Sequence, residues 1–374
     1  MADAETDSLT AEQQACLALW AVPGLGPRTL AALRAFADGS LSPLVATPVR
    51  DWVSQAPVSP QVRRRLATVD RLAPLADRVL SACRTSGMGV AFKGQRAYPA
   101  RLAEVLDAPP LLFYRGVPGL PRRRLAMVGS RHPDQGFLPL ARRFARRMAE
   151  AGVGVVSGAA AGVDQACHWG ALDVRGETWA FLGSALDALD TAQARLLPHF
   201  LDKGGMFFSE LPPGVRASTT TFPRRNRLIS GASDAVLVMR AGTKSGSLYT
   251  AEAGRAQGRP VLAMPGDVRQ EAASGCNTLL RDGHAVACLS PEDVWRVLKV
   301  DPLAAVPLPG AVGSWEALSA EAKGTFAMLD RVPRGFDEVL IGSTLSPAAL
   351  VGALVELELT GLVVQHPGRL YERI

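Results

Sequence analysis

Between residues 92 and 298, short apolar runs alternate with stretches of helical spacing, and no other feature restricts the possible folds so strongly. The runs are Leu125–Val128, Val153–Val156, Thr178–Leu182, Met206–Phe208, Ala235–Met239 and Pro260–Met264. Most are continuously apolar, as strands covered on both faces are. In the first helical stretch Leu140, Phe144 and Met148 recur every four residues, while Arg142, Arg143, Arg146 and Arg147 fall on other faces. Such alternation predicts an α/β fold with a doubly wound parallel sheet, whose ligands bind beyond the carboxyl ends of the strands.

The flanks read differently. Residues from about 9 to 85 form short helical patterns broken by Pro and Gly, and Val22-Pro-Gly-Leu-Gly-Pro-Arg-Thr-Leu-Ala-Ala-Leu33 has the form of a helix-hairpin-helix turn. A plain Gly-Pro turn between packed helices explains that stretch at least as well as a DNA contact. Residues 301–313 are a Pro/Gly/Ala linker pattern. Beyond it, Leu345 to Leu359 carries a helical pattern with a Ser-Pro start and a Thr360-Gly361 stop, and Leu362 to Tyr371 has the pattern of a hairpin. Helix followed by hairpin predicts a winged helix.

The strand ends carry the chemistry. After the first run comes Gly129-Ser130-Arg131, after the second Ser157-Gly158-Ala-Ala-Ala-Gly162-Val-Asp164, and after the fifth Thr243-Lys244-Ser245-Gly246-Ser247. Small glycine-rich turns let backbone N–H groups approach a phosphate, and Arg131 and Lys244 neutralise it. The stretch Phe222-Pro-Arg-Arg-Asn-Arg227 adds Arg224, Arg225, Asn226 and Arg227 at the opening of a helix. Arginine presents a fork of donors that matches phosphate oxygens in pairs, and asparagine can pair with a base edge or a sugar hydroxyl. A solvated basic turn is the bland alternative for that cluster alone. Together the turns predict a cationic crevice on one rim of the sheet. Of the nearby acids, Asp164 is expected to cap the helix after Val163, and Glu210 to pair with a rim arginine.

Composition narrows the partners. The net charge is +6 and the pI near 9.3, which favours an anionic partner. Residues 115–147 hold nine arginines against the single acid Asp134, whereas 310–374 hold five basic and eight acidic residues. The first region is suited to polyanions and the tail is not. Five cysteines without Cys-x-x-Cys spacing suit a reduced, cytoplasmic protein. Scattered histidines give no metal-ligand spacing, no dinucleotide or P-loop fingerprint occurs, and no nucleophile–base pair stands out, so neither metal nor cofactor is expected. No apolar run reaches the length of a membrane span, and the acidic N-terminus has no signal-peptide pattern.

These residues resemble one family, DNA-processing protein A (DprA/Smf). The resemblance runs through Tyr98-Pro-Ala-Arg-Leu, Pro109-Pro-Leu-Leu-Phe-Tyr-Arg-Gly116, Val128-Gly-Ser-Arg131 and Ser157-Gly-Ala-Ala-Ala-Gly-Val-Asp164. It continues through Ser209-Glu-Leu-Pro-Pro-Gly214, Phe222-Pro-Arg-Arg-Asn-Arg227, Ser245-Gly-Ser247, Met264-Pro-Gly266 and Ser274-Gly-Cys-Asn277. It implies an extended Rossmann-like, doubly wound and mostly parallel sheet over 89–300. A small helical domain of the SAM or helix-hairpin-helix kind is implied at 1–88, with a winged helix at 314–374 after the linker. It also implies a non-enzymatic recombination mediator of natural transformation that binds single-stranded DNA as a homodimer. In the family, that activity protects incoming strands and loads RecA recombinase onto strands covered by single-strand-binding protein. Carried over by motif, the DNA-binding residues are Gly129, Ser130, Arg131, Gly158, Phe222, Arg224, Arg225, Asn226, Arg227, Lys244, Ser245, Gly246 and Ser247.

Two departures stand out. The family pattern Leu-Asp-x-x-Tyr-Pro-x-x-Asn survives only as Leu186-Asp187, with Asp190, Thr191 and Ala194 in place of Tyr, Pro and Asn. The expected recognition helix of the winged domain has no Lys or Arg between Ser346 and Gly361. A groove-reading helix needs cations, so this domain is expected to meet protein or tune the main domain instead of reading duplex DNA. The alternative function, a nucleotide phosphoribohydrolase on a similar sheet, calls for a Pro-Gly-Gly-x-Gly-Thr turn. The comparable turn here is Thr243-Lys-Ser-Gly-Ser247. Aromatic residues make up 6% of the chain and Phe222 is the ring inside the basic motif, so affinity dominated by phosphates is expected.

Overall fold

Continuous apolar strands can only be satisfied inside a sheet with cover on both faces, and the chain folds that way. The computed structural model describes residues 9–117, 123–134, 136–302, 318–330, 333–359, 362–366 and 368–373, in two units, 1–305 and 306–374. The stretch expected to be a linker lies outside the described residues from 303 onward.

The first unit opens with α1 (Ala11–Trp20), α2 (Pro27–Phe36), α3 (Ser42–Ala46), α4 (Pro60–Leu66) and α5 (Ala73–Thr85). Then come β1 (Gly89–Phe92), α6 (Ala100–Ala103), β2 (Leu111–Arg115), β3 (Arg124–Gly129), α7 (Phe137–Glu150), β4 (Gly154–Ser157) and α8 (Val163–Asp173). β5 (Thr178–Phe181), α9 (Thr191–Lys203), β6 (Met206–Ser209), α10 (Thr221–Gly231), β7 (Ala235–Arg240) and α11 (Ser247–Ala256) follow. β8 (Val261–Ala263), α12 (Glu271–Arg281), β9 (Val286–Ala287) and α13 (Pro291–Leu298) close the unit.

Among the described residues nine strands form one sheet, ordered β1-β2-β6-β5-β4-β3-β7-β8-β9. The pairs β1–β2 and β2–β6 are antiparallel and the remaining pairs parallel. The chain starts the parallel part at β3, winds outward to β6, then returns to β7 on the other flank of β3. That makes β3/β7 the point where the winding reverses, the place where open α/β sheets leave a crevice. Alternate residues feed the two faces: Ala126, Val128, Val236 and Val238 enter one core, Leu125, Met127, Leu237 and Met239 the other.

The six expected strands are present with ends shifted by two residues at most. β1, β2 and β9 extend the sheet beyond them. On α7 the buried stripe is Ala141, Phe144, Ala145, Met148 and Ala149, and Leu140 is turned outward. A strict four-residue repeat drifts around a 3.6-residue helix, which carries Leu140 off the apolar face.

The N-terminal helices share a core with the sheet. Leu17, Trp20, Leu33 and Leu66 pack in one cluster with Phe113, Leu182, Phe200 and Phe207. The Trp20 indole Nε1–H donates to the Glu210 carbonyl at 2.7 Å. In the Val22–Leu33 turn, Gly24 takes φ +91° and the Arg65 guanidinium donates to the Pro23 carbonyl at 2.6 Å. All five cysteines are buried free thiols.

The second unit contains α14 (Ala320–Met328), β10 (Arg334–Gly335), α15 (Phe336–Gly342), α16 (Pro347–Leu359), β11 (Val363–His366) and β12 (Leu370–Arg373). The hairpin β11–β12 is antiparallel and β10 pairs with β12, the arrangement of a winged helix. Leu350, Ala353, Leu354 and Leu357 bury one side of α16, while Val351 and Val355 face outward. No single helix among the described residues is long and apolar enough to cross a membrane.

Candidate nucleic-acid interface

A cavity of about 750 Å³ opens at the β3/β7 crevice. Its walls include Gly129 at the end of β3, Ser130 and Arg131 beyond it, Thr243 to Ser247 beyond β7, and Phe222, Arg225 and Asn226 of α10. Thus turns separated by more than a hundred positions in sequence converge on one hollow. α10 and α11 both begin here without a side-chain cap, at Thr220 and Gly246. Their first N–H groups are partly used: Thr221 donates to the Ser218 carbonyl at 3.1 Å, Ser247 to the Ser245 hydroxyl at 3.4 Å and Leu248 to the Ser245 carbonyl at 3.1 Å.

The hollow depends on glycine at two places. Gly162 precedes α8 at φ +89°, and a Cβ there would overlap the Ser130 and Arg131 carbonyls. Gly158 leaves room for a guanidinium: a Cβ on it would fall inside the Arg225 side chain.

The arginines of the basic motif point in different directions. Arg225 is 5% exposed and donates from Nη1 to the Gly158 carbonyl at 2.6 Å and the Phe181 carbonyl at 2.5 Å. Burial lowers its pKa to about 10, Asp164 works to raise it, and Arg131 pushes the same way as burial. Asp164 is buried beside it, and desolvation lifts its carboxyl above the ordinary value against the pull of Arg225. Arg227 is tied to Glu210 at 2.5 Å and to the Asp107 carbonyl at 2.8 Å. Arg224 is exposed, with its Nη2 3.8 Å from Glu210. Asn226 donates to the Gly246 carbonyl at 3.1 Å, fastening α10 to the turn after β7.

This sorts the expected site residues. Gly129, Ser130, Arg131, Phe222, Arg225, Asn226, Lys244, Ser245, Gly246 and Ser247 line the cavity. Gly158 sits beneath it as the acceptor of Arg225, and Arg224 and Arg227 lean toward Glu210 instead. Of the cavity's cations, Arg131 and Lys244 are exposed and Arg225 is buried.

The acids behave partly as expected. Glu210 pairs with Arg227, as its position implied. Asp164 does not cap α8: Gly162 holds the cap position, and the Asp164 carboxylate accepts the Gly158 N–H at 3.2 Å. A buried carboxylate gains more by facing the buried Arg225 charge than a helix start would return. In the 186–194 loop, Asp187 accepts the Gly214 N–H at 2.9 Å and Asp190 caps α9 with Gln193.

His168, three positions past Gln165 on α8, is fully buried with Nδ1 2.7 Å from the Thr178 hydroxyl. Burial and the nearby Arg225 charge lower its pKa to about 3, so the ring stays neutral. Sequence reading missed Thr219, Tyr249, Thr250 and Glu271 on the cavity wall. Tyr249 and Thr250 lie inside a helix whose pattern marks them as ordinary α11 residues. Among the described residues no group of His, Cys, Asp or Glu could hold a metal ion.

Residues 89–299, which supply every wall of this cavity, match the family described as DNA recombination-mediator protein A. The chain belongs to this family. Residues 311–369 match the DprA winged helix domain. The DNA processing protein DprA of Bacillus subtilis is 30% identical over 267 residues, covering 70% of this chain and 87% of its own. A Mycobacterium tuberculosis relative is 38% identical over 273 residues, 72% of this chain and 66% of that protein's length. Among solved structures, DNA processing protein A from Streptococcus pneumoniae is similar with TM-score 0.63 and 29% identity, covering 77% of this chain and 98% of its own. The Helicobacter pylori protein, described for its single-stranded DNA binding mode, has TM-score 0.51 at 24% identity over 57% of this chain and 97% of its own, a likeness of fold.

Proposed function

We propose that this chain is a single-stranded-DNA-binding recombination mediator. The observation that carries the reading is the meeting of Arg131 and Lys244 with the glycine turns and uncapped helix starts in one hollow at the β3/β7 crevice. Phosphates of a flexible strand follow the rim cations, and the positive dipole ends of α10 and α11 favour the same charge. Gly129, Ser130, Phe222, Asn226, Ser245, Gly246 and Ser247 shape the wall, and Gly158 and Arg225 hold it in place. Arg224 adds positive charge beside the hollow, and Arg227 holds the motif in place through Glu210.

The chain works without catalysis in the cytoplasm, as a homodimer through its Rossmann-like domain (89–300). It protects incoming strands in natural transformation and helps load RecA recombinase onto strands covered by single-strand-binding protein. Family membership and the single-stranded DNA binding described for the Helicobacter pylori protein support this reading. A competition gel-shift of single strand against duplex across a salt series tests it. The expected result is preference for the single strand with a log–log salt slope of about −0.7 per neutralised phosphate. Equal affinity for duplex, or base release from nucleoside monophosphates, would overturn it.

A further inference from the structure

We infer that Tyr249 is a base-stacking residue of the cavity, a platform for one nucleobase of the bound strand. The inference rests on the single-strand reading above and adds the group that meets the bases. Two rings line the cavity, Phe222 and Tyr249. Phe222 is already in use. The Arg131 guanidinium lies over its ring at 4.8 Å from the centroid, and its edge packs on Gly183, 3.0 Å from where a Cβ would stand. The buried Arg225 guanidinium lies 6.0 Å from the same centroid, and a base stacking on the Arg131 face would displace the cation that the phosphate requires.

Tyr249 is free. It is 57% exposed although it occupies the third position of α11, and its side chain forms no hydrogen bond or ring contact among the described residues. Helical side chains lean toward the N-terminus of their helix, which here aims the ring back over the turn of Lys244 to Ser247. The ring therefore stands beside the phosphate-binding turn, on the solvent side, where a base projects from a backbone held by Lys244 and Arg131. Stacking accepts any base because each has a π-face, so Tyr249 adds affinity without sequence preference. An exposed phenol ring next to a cation is also spared the desolvation that a buried hydroxyl would demand.

The test measures fluorescence anisotropy of a labelled oligothymidylate and of an abasic strand of equal length, for the full chain and for Tyr249→Ala, Tyr249→Phe and Arg131→Ala. Tyr249→Ala is expected to bind oligothymidylate about fivefold more weakly, to match the parent on the abasic strand, and to keep the parent's salt slope. Tyr249→Phe retains affinity to within about twofold, because the ring face remains. Arg131→Ala weakens both strands alike and flattens the slope. Parent-like affinity of Tyr249→Ala for oligothymidylate, or an equal loss on both strands, overturns the inference while a weakened Arg131→Ala leaves the cavity reading standing. An Arg131→Ala variant that binds both strands like the parent overturns the cavity reading and this inference together.

Discussion

The floor of the cavity and its rim are built from the same residue types and do opposite things. On the floor, Arg225 and Asp164 are buried and attract each other, while the Gly158 and Phe181 carbonyls take the two Nη1 protons and the Asn226 Oδ1 takes the Nε proton. On the rim, Arg131 and Lys244 are exposed and face the hollow. A charge removed from water must find its partner inside the protein, so a floor arginine has little left for a ligand. A rim arginine keeps its donors for whatever arrives. Counting arginines in a motif therefore overstates the surface charge that the motif delivers.

The largest effect should come from breaking the floor pair. Asp164→Ala leaves Arg225 as an uncompensated buried charge and should cost about 3–5 kcal/mol of stability, read from the urea unfolding midpoint. Gly158→Ala should act in the same direction by forcing the guanidinium out of its seat. If either variant unfolds like the parent, the floor is not a structural unit.

Replacing the rim should do the reverse. Arg131→Ala is expected to leave the unfolding midpoint unchanged while weakening single-strand binding about fivefold to tenfold at low salt. Its salt slope should fall in magnitude by about 0.7. A stability loss comparable to that of Asp164→Ala would erase the distinction.

A smaller effect is tied to pH. The folded His168 stays neutral down to about 3, whereas the same imidazole in the unfolded chain takes up a proton below about 6.5. The unfolded state thus binds more protons in that window, and stability falls as pH drops through 6.5, by about 1 kcal/mol between pH 7 and 5.5. Asp164 and Glu210, whose pKa values are raised chiefly by burial, act with the opposite sign. Urea midpoints at the two pH values should show the fall, and His168→Gln should flatten it.

The smallest effect is expected from removing the second unit. Residues 306–374 carry no Lys or Arg between Ser346 and Gly361. A chain ending at 305 should bind single strands to within about twofold of the full chain and keep its slope. A tenfold loss would show that the winged helix takes part in strand binding.

Much of the fold could be read from the residues because burial on both faces leaves a continuous apolar signature, as in Ala235–Arg240. β9 escaped because it is two residues long with both exposed, and β1 and β2 because an antiparallel pair at the sheet's edge breaks the strand–helix rhythm. The turns after β3 and β7 were legible because the ends of parallel strands are where ligands sit. The directions of Arg224, Arg225 and Arg227 were not. They depend on how Leu228 and Ile229 seat α10 against the sheet, a tertiary choice that local pattern does not carry. Tyr249 was hidden for a related reason, since only the rotation of α11 distinguishes an outward ring from a core one.

The indole of Trp20 and its neighbours lie under the same apolar blanket as Leu182, Phe200 and Phe207. A chain trimmed to begin at residue 89 would lay that blanket open to water, leaving a greasy flank on the sheet. Such a shortened protein should be prone to clump. The helices at the front of the chain are thus a lid on the sheet's own interior as much as an appendage to it.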